Sequence, residues 1–467
     1  MKYFVFITIC LSFLACQKDK LNTSSDALVI VTADTVKFDT VFATVGSVTQ
    51  KFMIENKNDE RLIISNIQLA GGANSSYKIV VNGQPGTQFS NTEIAANDSI
   101  YVFVNVTINQ ATANIPFIVS DSILIDYNGN HKKVQLQAYG QKAIFLDSQT
   151  ISANTTWNNT LPYVLLDGLT VNPGVTLTIS AGTKVYSHAT SPILINGSLV
   201  INGATDSANR VYFLGDRMDE GYANLPGSWP GIIFSPASTG NVFNHAVFLN
   251  ANQALVIVGS GNTSPQLTLN ECIIENAYDA GLVAAGSYIN ARNCLIANCG
   301  NAGPLGTDGS NIIIRNGGTY NFNYCTIATY ASYYQSHTQP VVYIADDGGK
   351  FTGSFTNSII YGNGGTPVDE VSLNKTNNLA LSLSNVLVTK MKDAFPNYVT
   401  LNAASTALLN KDSLFASIDT YGELYNFRLR SGSPAIITGT DNSAATDLDG
   451  NARTTGSISL GCYQYKP

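Results

Sequence analysis

NHAVF (Asn244–Phe248), NECII (Asn270–Ile274), RNCLI (Arg292–Ile296), NYCTI (Asn323–Ile327), TNSII (Thr356–Ile360) and SNVLV (Ser384–Val388) are six copies of one short unit. Aligned on the third residue, one column reads Ala246, Cys272, Cys294, Cys325, Ser358, Val386. Two residues later it reads Phe248, Ile274, Ile296, Ile327, Ile360, Val388. Both columns are small or apolar. The spacing runs from 22 residues (Cys272 to Cys294) to 33 (Cys325 to Ser358), the range of stacked-repeat architectures. Each copy is about five residues long, rich in β-branched side chains and bounded by Gly, Asn, Asp or Ser, which reads as a strand. No sustained i, i+3, i+4, i+7 apolar stripe competes with that reading. A strand per repeat that returns to one column predicts a parallel β-solenoid, with coils about 4.8 Å apart and each residue over its equivalent. Asn250, Asn276 and Asn298, each four residues after the small position, form a further column whose amides can bond along the stack.

Composition agrees. Of 467 residues, 44% are hydrophobic and only 12% charged, against roughly 25% in ordinary globular chains. Like charges stacked at strand spacing repel, so Asn, Ser, Thr and Gly take their place. The formal net charge of −7 offers no basic footprint for nucleic acid. Of seven cysteines, Cys272, Cys294 and Cys325 fall in the interior column and read as small, buried, free thiols. No CxxC occurs, and the four histidines make no zinc signature.

The first residues read as an address. Lys2 precedes an apolar run, Tyr3 to Phe13, that is too short to span a bilayer. Leu14-Ala15-Cys16, followed by polar Gln17-Lys18-Asp19-Lys20, resembles the lipobox of bacterial lipoproteins. The resemblance implies a signal peptide over 1–16, a lipidated Cys16 as mature N-terminus, a tether over 17–27 and anchoring to the bacterial outer membrane through several acyl chains. The Lys-Asp pair after the cysteine is similar to the surface-export signal of Bacteroidetes lipoproteins, which implies the cell surface.

From 28 to 141 the pattern changes to separate alternating strands, among them KFMIEN (Lys51–Asn56), RLIISNIQL (Arg61–Leu69), SIYVFVNVTI (Ser99–Ile108) and DSILIDY (Asp121–Tyr127). Asn82-Gly83 and Asn128-Gly129 punctuate them. This predicts an Ig-like β-sandwich, and the segment resembles bacterial Ig-like domains of the Hydin-related group. From 150 to 467 the solenoid is expected. PYVLLDGLTVNPGVTLTISAGTKVY (Pro162–Tyr186) and SPILINGSLVINGA (Ser191–Ala204) resemble the first coils of secreted right-handed parallel β-helix proteins. Ser433-Pro434-Ala435-Ile436, Asp447-Leu448-Asp449-Gly450 with Arg453, and Leu460-Gly461-Cys462-Tyr463 resemble the closing module of bacterial β-helix proteins of the pectate-lyase-like superfamily. The fold class is therefore all-β, a sandwich followed by a right-handed parallel β-helix whose terminal unit should cover the open end.

That superfamily holds both enzymes and non-enzymes, so residues must decide function. Lyase chemistry needs carboxylates for calcium and a nearby base, and hydrolysis needs paired carboxylates. Asp346 and Asp347 with Lys350, and Asp308, are the candidates, with Asp279, Glu271 and Arg292 as neighbours if the coils stack as aligned. All also suit surface loops, and the His and Arg-Lys motifs of polygalacturonases are missing. Asp447, Asp449 and Asn451 alternate as calcium ligands can, or as an Asp-Arg structural turn does. No other cofactor is indicated. Tyr324, Tyr330, Tyr333 and Tyr334 form an aromatic set beside Tyr320 and Phe322. Strand alternation puts Tyr324 outward, where tyrosines can stack on the C–H faces of sugars; packing beneath a loop is the alternative. The expected function is non-catalytic glycan binding or adhesion. The rival is a polysaccharide lyase or glycoside hydrolase acting on an acidic polysaccharide.

Overall fold

Strand Gln50–Asn56 buries every second side chain, Phe52, Ile54 and Asn56, as half-buried antiparallel strands do. In the computed structural model this pattern builds a two-sheet sandwich. Residues 20–42, 46–108, 117–218, 221–261, 263–300, 309–345, 347–365, 369–374, 379–389, 399–401, 414–437, 444–453 and 458–467 are described. Cys16, Asp308 and Asp346 lie outside the described residues. The chain divides into two units, Met1–Lys142 and Ala143–Pro467.

In the first unit one sheet orders Val29–Val31, Gln50–Asn56, Ser99–Val106, Tyr77–Val81 and Gln84–Gly86. The other orders Thr35–Phe42, Asn130–Gln141, Phe117–Tyr127, Leu62–Leu69 and Gln88–Ile94. Pairing is antiparallel except between Thr35–Phe42 and Asn130–Gln141. Ile54, Ile79, Val102 and Val104 from one sheet share a core with Ile64, Ile67, Ile125 and Leu136 from the other. Asn82-Gly83 and Asn128-Gly129 have positive φ at both positions, the conformation tight hairpins require.

The second unit begins with Ile144–Leu146, ahead of the boundary expected at 150. It is a parallel β-helix. Each full coil gives two strands to a seventeen-stranded ladder and one to a ten-stranded sheet. The repeat columns are realised residue for residue. Val247 pairs with Ile273, Leu295, Thr326, Ile359 and Leu387 in succession, and Phe248 runs through Ile274, Ile296, Ile327, Ile360 and Val388. The coil interior holds Phe248, Cys272, Ile274, Cys294, Ile296, Cys325 and Ile327, all fully buried. Cys272, Cys294 and Cys325 are free thiols. Burial pushes the Cys272 and Cys325 thiols well up, so they stay protonated.

Before each copy's small residue the backbone turns through the left-handed region, at His245, Glu271, Asn293, Tyr324, Asn357 and Asn385. Asn tolerates that region best. Asn385 donates to Asn357 Oδ1 (3.1 Å), and Asn293 donates to Glu271 Oε1 (3.2 Å). A second corner column, Asn250, Asn276 and Asn298, also has positive φ. Asn276 donates to Asn250 Oδ1 at 2.7 Å, as expected, but the ladder does not continue to Asn298.

The C-terminal segment departs from expectation. Its described residues lie along the flank of the ten-stranded sheet, not over the open end. Leu414, Phe415, Phe427, Leu429, Leu448, Leu460, Cys462 and Tyr463 pack on Leu295, Ala297, Ala328, Tyr330, Ile359, Tyr361 and Leu387. The sheet's outward side chains here are apolar, and that face needs a cover. Arg210 Nη2 donates to Leu448 O (2.8 Å), Asn293 Nδ2 to Thr446 O (2.7 Å) and Gly461 N to Asn357 O (2.8 Å). Gly461 has φ +82°, and a Cβ there would run into Thr326 Oγ1 and Ile359.

Candidate functional site

Leu249, Glu275, Ala297, Ala328 and Tyr361 form one outward column of the ten-stranded sheet. Ala297 and Ala328 disappear beneath the C-terminal hairpin, Phe415–Asp419 with Leu424–Leu429. Glu275 stays half-buried at its margin. The hairpin turn, the loop after Tyr330 and Asn224, which follows strand Val211–Gly215, close around it. They leave a pocket of about 400 Å³, lined by Asn224, Leu249, Asn250, Glu275, Asn276, Asn298, Ser332, Gln335, Gly422, Glu423, Leu424 and Tyr425. Among the described residues two carboxylates line it and no Lys, Arg or His does.

The carboxyls differ. Burial pushes Glu275 up to about 7. Burial also raises Glu423, but the Ser332 hydroxyl, which donates at 3.2 Å, and the Tyr334 N–H pull the other way. Glu423 also sits at φ +54°, a region unusual for a long side chain. Such a residue is held there by its surroundings. The loop carrying Ser332 and Gln335 is anchored by His337, whose Nδ1 donates to Gly364 O (2.8 Å) and whose Nε2 meets Glu370 Oε2 (3.2 Å). Burial pulls His337 down, but the Glu370 carboxylate outweighs it and the net shift is upward.

Two amides are left unsatisfied in the pocket wall. Asn298 is 2% exposed; its Oδ1 accepts from Tyr330 N (3.1 Å) while its Nδ2 has no partner. Gln335 is 1% exposed, and neither its Nε2 nor its Oε1 has a partner. These side-chain atoms have almost no accessible surface, so both amides are packed behind the pocket wall rather than open to the cavity. On the loop between Ser332 and Gln335, Tyr333 is 88% exposed and meets Tyr334 edge to face, with centroids 5.0 Å apart. Tyr421, next to Gly422, and Leu424 are exposed as well.

The predicted tyrosines therefore split. Tyr333 is exposed and Tyr334 half-buried on the loop between Ser332 and Gln335. Tyr324, expected to face outward, is fully buried, because it occupies a left-handed corner where strand alternation does not hold. Arg453 covers its ring at 3.7 Å. Tyr330 does point out of the sheet, but Phe415, Tyr425 and Phe427 of the hairpin enclose it. Tyr320 and Phe322 are core residues stacked on Phe351 and Phe355.

The acidic candidates that lie within the described residues stand apart from one another. Asp347 and Lys350 are exposed, and Asp347 lies 3.9 Å from Arg315. Arg292 does neighbour Glu271 (3.4 Å), whereas Asp279 instead accepts from Gln253 (2.5 Å). Asp447 is buried, and its carboxylate accepts from the backbone of Asp449, Asn451 and Gln464 and from the Asn451 amide. Asp449 is held in a fork by Arg428 at 2.6 and 2.7 Å. These groups are committed to structure, in line with the turn alternative. The arginine that pairs is Arg428. Arg453 reaches instead to Asn293, Ser459 and Gly461. Among the described residues no cluster of His, Cys, Asp and Glu could hold a metal.

Glu275, Glu423 and Gln335 were not singled out from the sequence. A signal for Glu275 existed: it is the one charge in an otherwise apolar or aromatic outward column, in a chain sparing with charge.

Residues 142–318 match the family model described as the right-handed beta helix region. The solenoid is a right-handed parallel β-helix. No curated protein matches the chain. Among solved structures, a family 123 glycoside hydrolase from Clostridium perfringens is similar at 11% identity, over 25% of this chain and 26% of that one, with a TM-score of 0.19. The β-helix chain thus spans about a quarter of that hydrolase's length. The ASH/PapD-like domain 7 of human CEP192 is similar at 12% identity, over 28% of this chain and 92% of that one, with a TM-score of 0.17.

Proposed function

We propose that this chain is a lipid-anchored glycan-binding protein that takes a sugar in the flank pocket of its β-helix. The observation that supports the reading is the flank pocket of about 400 Å³, lined by Glu275, Glu423, Asn250 and Asn276, beside a loop that carries the exposed ring of Tyr333 next to Tyr334. Sugar sites combine those two elements, polar groups that meet hydroxyls and rings that meet C–H faces. Tyr333→Ala and Tyr334→Ala should each weaken oligosaccharide binding by about 1 kcal/mol. Titration calorimetry against a glycan panel reads this directly. Binding unchanged in both variants would move the site elsewhere on the solenoid.

The anchor is Cys16. Cys16→Ser should move the protein from the detergent phase to the aqueous phase on partitioning of cells that express it. Unchanged partitioning would reject the lipobox.

Glycoside hydrolysis is the second reading, favoured by the Glu275 and Glu423 pair, whose environments differ in the way an acid and a base require. New reducing ends that appear with the native protein and vanish with Glu423→Gln would establish it.

A further inference from the structure

We infer that one end of the first unit, built from residues 20–28 and the loops at 57–61, 95–98 and 128–130, is held against the lipid headgroups of the membrane. This rests on the lipobox reading of Cys16 and adds a docking surface to it.

The stretch expected to be a tether, 17–27, is for the most part fastened to the sandwich. Leu21 bridges to Arg61, Asn22 N donates to Arg61 O (2.9 Å), and Lys20 Nζ meets Glu60 Oε1 (2.9 Å). Asn128 Nδ2 donates to Asn22 O (3.0 Å) and Ser24 O (2.9 Å), and Asn130 Nδ2 donates to Ser25 O (2.8 Å). Leu28 N donates to Asn58 Oδ1 and Asn58 Nδ2 donates back to Leu28 O, both at 3.0 Å. Ala27 and Val29 are buried in the core of the sandwich. The chain between Cys16 and the fold is thus 17–20 alone.

The same bonding identifies the end. Asn97 N donates to Asn58 O (3.1 Å), Asn56 N to Asp98 O (2.9 Å) and Asn97 Nδ2 to Asp59 Oδ1 (3.0 Å). These loops and the entering chain therefore make up one end of the sandwich. Strands of eight residues, Leu62–Leu69 and Ser99–Val106, put the opposite end about 25 Å away.

Length then decides what this end meets. The five steps from Cys16 to Leu21 span at most about 18 Å, whatever their conformation. Acyl chains on Cys16 hold its backbone at the edge of the hydrocarbon core, and the headgroup layer takes up about 5–8 Å of that reach. Leu21 then lies within about 13 Å of the headgroup surface, whereas an unfastened 17–27 would reach about 40 Å. Lys20, Lys57 and Arg61 are matched by Glu60, Glu55 and Glu93. The short linker, rather than a basic patch seeking anionic lipid, sets the placement.

The test uses the full lipidated chain, purified from membranes and reconstituted into phosphatidylcholine vesicles that contain a lipid with a nitroxide on its headgroup. Asp59→Cys and Ala73→Cys place a thiol-linked fluorophore at exposed positions on opposite ends of the sandwich. The native cysteines among the described residues are buried. The Asp59 label should be strongly quenched and the Ala73 label far less. Insertion of a Gly-Ser linker of about 20 residues after Gln17, which averages about 25 Å between its ends, should bring quenching at Asp59 down to the Ala73 level. Equal quenching of the two labels, or quenching at Asp59 that survives the insertion, would overturn the inference and leave the lipid anchor standing. A parent chain that fails to float with the vesicles would overturn both.

Discussion

Replacing Cys294 with aspartate is expected to cost about 3–5 kcal/mol of stability, the range for an uncompensated buried charge. Cys294 lies at the centre of the thiol column, fully buried between Cys272 of the coil before and Cys325 of the coil after. Its sulfur faces the Arg292 and Leu269 carbonyls, at 3.3 and 3.6 Å, and the thiols of Cys272 and Cys325. An aspartate there is surrounded by carbonyl oxygens, thiols and apolar side chains. It would hold its proton in the folded state well above its unfolded pKa. The sign follows: the penalty is smallest in acid and grows as pH rises. Urea unfolding at pH 5 and pH 8 should show the variant less stable at both and worse at the higher value. Cys294→Ala, which keeps the column apolar, should cost far less. Rapid labelling of all three thiols in the native protein, with Cys294→Asp as stable as its parent, would contradict the buried column.

Arg453→Ala is expected to release the C-terminal segment from the β-helix. The guanidinium donates to Ser459 O (3.0 Å), Asn293 Oδ1 (2.8 Å) and Gly461 O (3.0 Å), and stacks over Tyr324. It thereby ties two points of the segment to two successive corners of the solenoid. Burial lowers its pKa, opposed by Tyr324 and Asp447, so the charge is held by these contacts rather than by water. Removing it orphans three buried acceptors, each worth about 1–3 kcal/mol. The loss should appear as a protease-sensitive segment after Ile437 while the coils remain intact. Arg453→Lys keeps the charge but not the planar fork, and should fall between the two. Protease resistance equal to the parent's would show that the apolar contacts alone hold the segment.

The solenoid was legible because its register is a property of the repeat itself. Once Cys272, Cys294 and Cys325 are aligned, the pairings of Ile273, Leu295 and Thr326 follow with no further information. Tyr324 was misread for the converse reason. Alternation is a rule for extended backbone, and Tyr324 sits at a left-handed corner that breaks it. The other corners, mostly Asn, hinted at this, since Asn tolerates that conformation and Tyr does not. The C-terminal segment resembled a closing module, but that likeness does not say which surface is closed. The apolar outward residues Leu295, Ala328 and Tyr361 did say so, because a solvent-facing sheet would not carry them. The pocket was the least legible part. Glu275, Gln335 and Glu423 come from a strand, a loop and a hairpin turn that are joined only by tertiary packing, and no spacing rule connects them.

The most direct measurement is a crystal structure of the protein soaked with the neutral oligosaccharide that binds best. The sugar should lie in the flank pocket between Glu275 and Glu423, with a ring face against Tyr333 or Tyr334. Sugar bound along the Thr- and Asn-bearing face of the seventeen-stranded ladder, with only water in the flank pocket, would contradict the account.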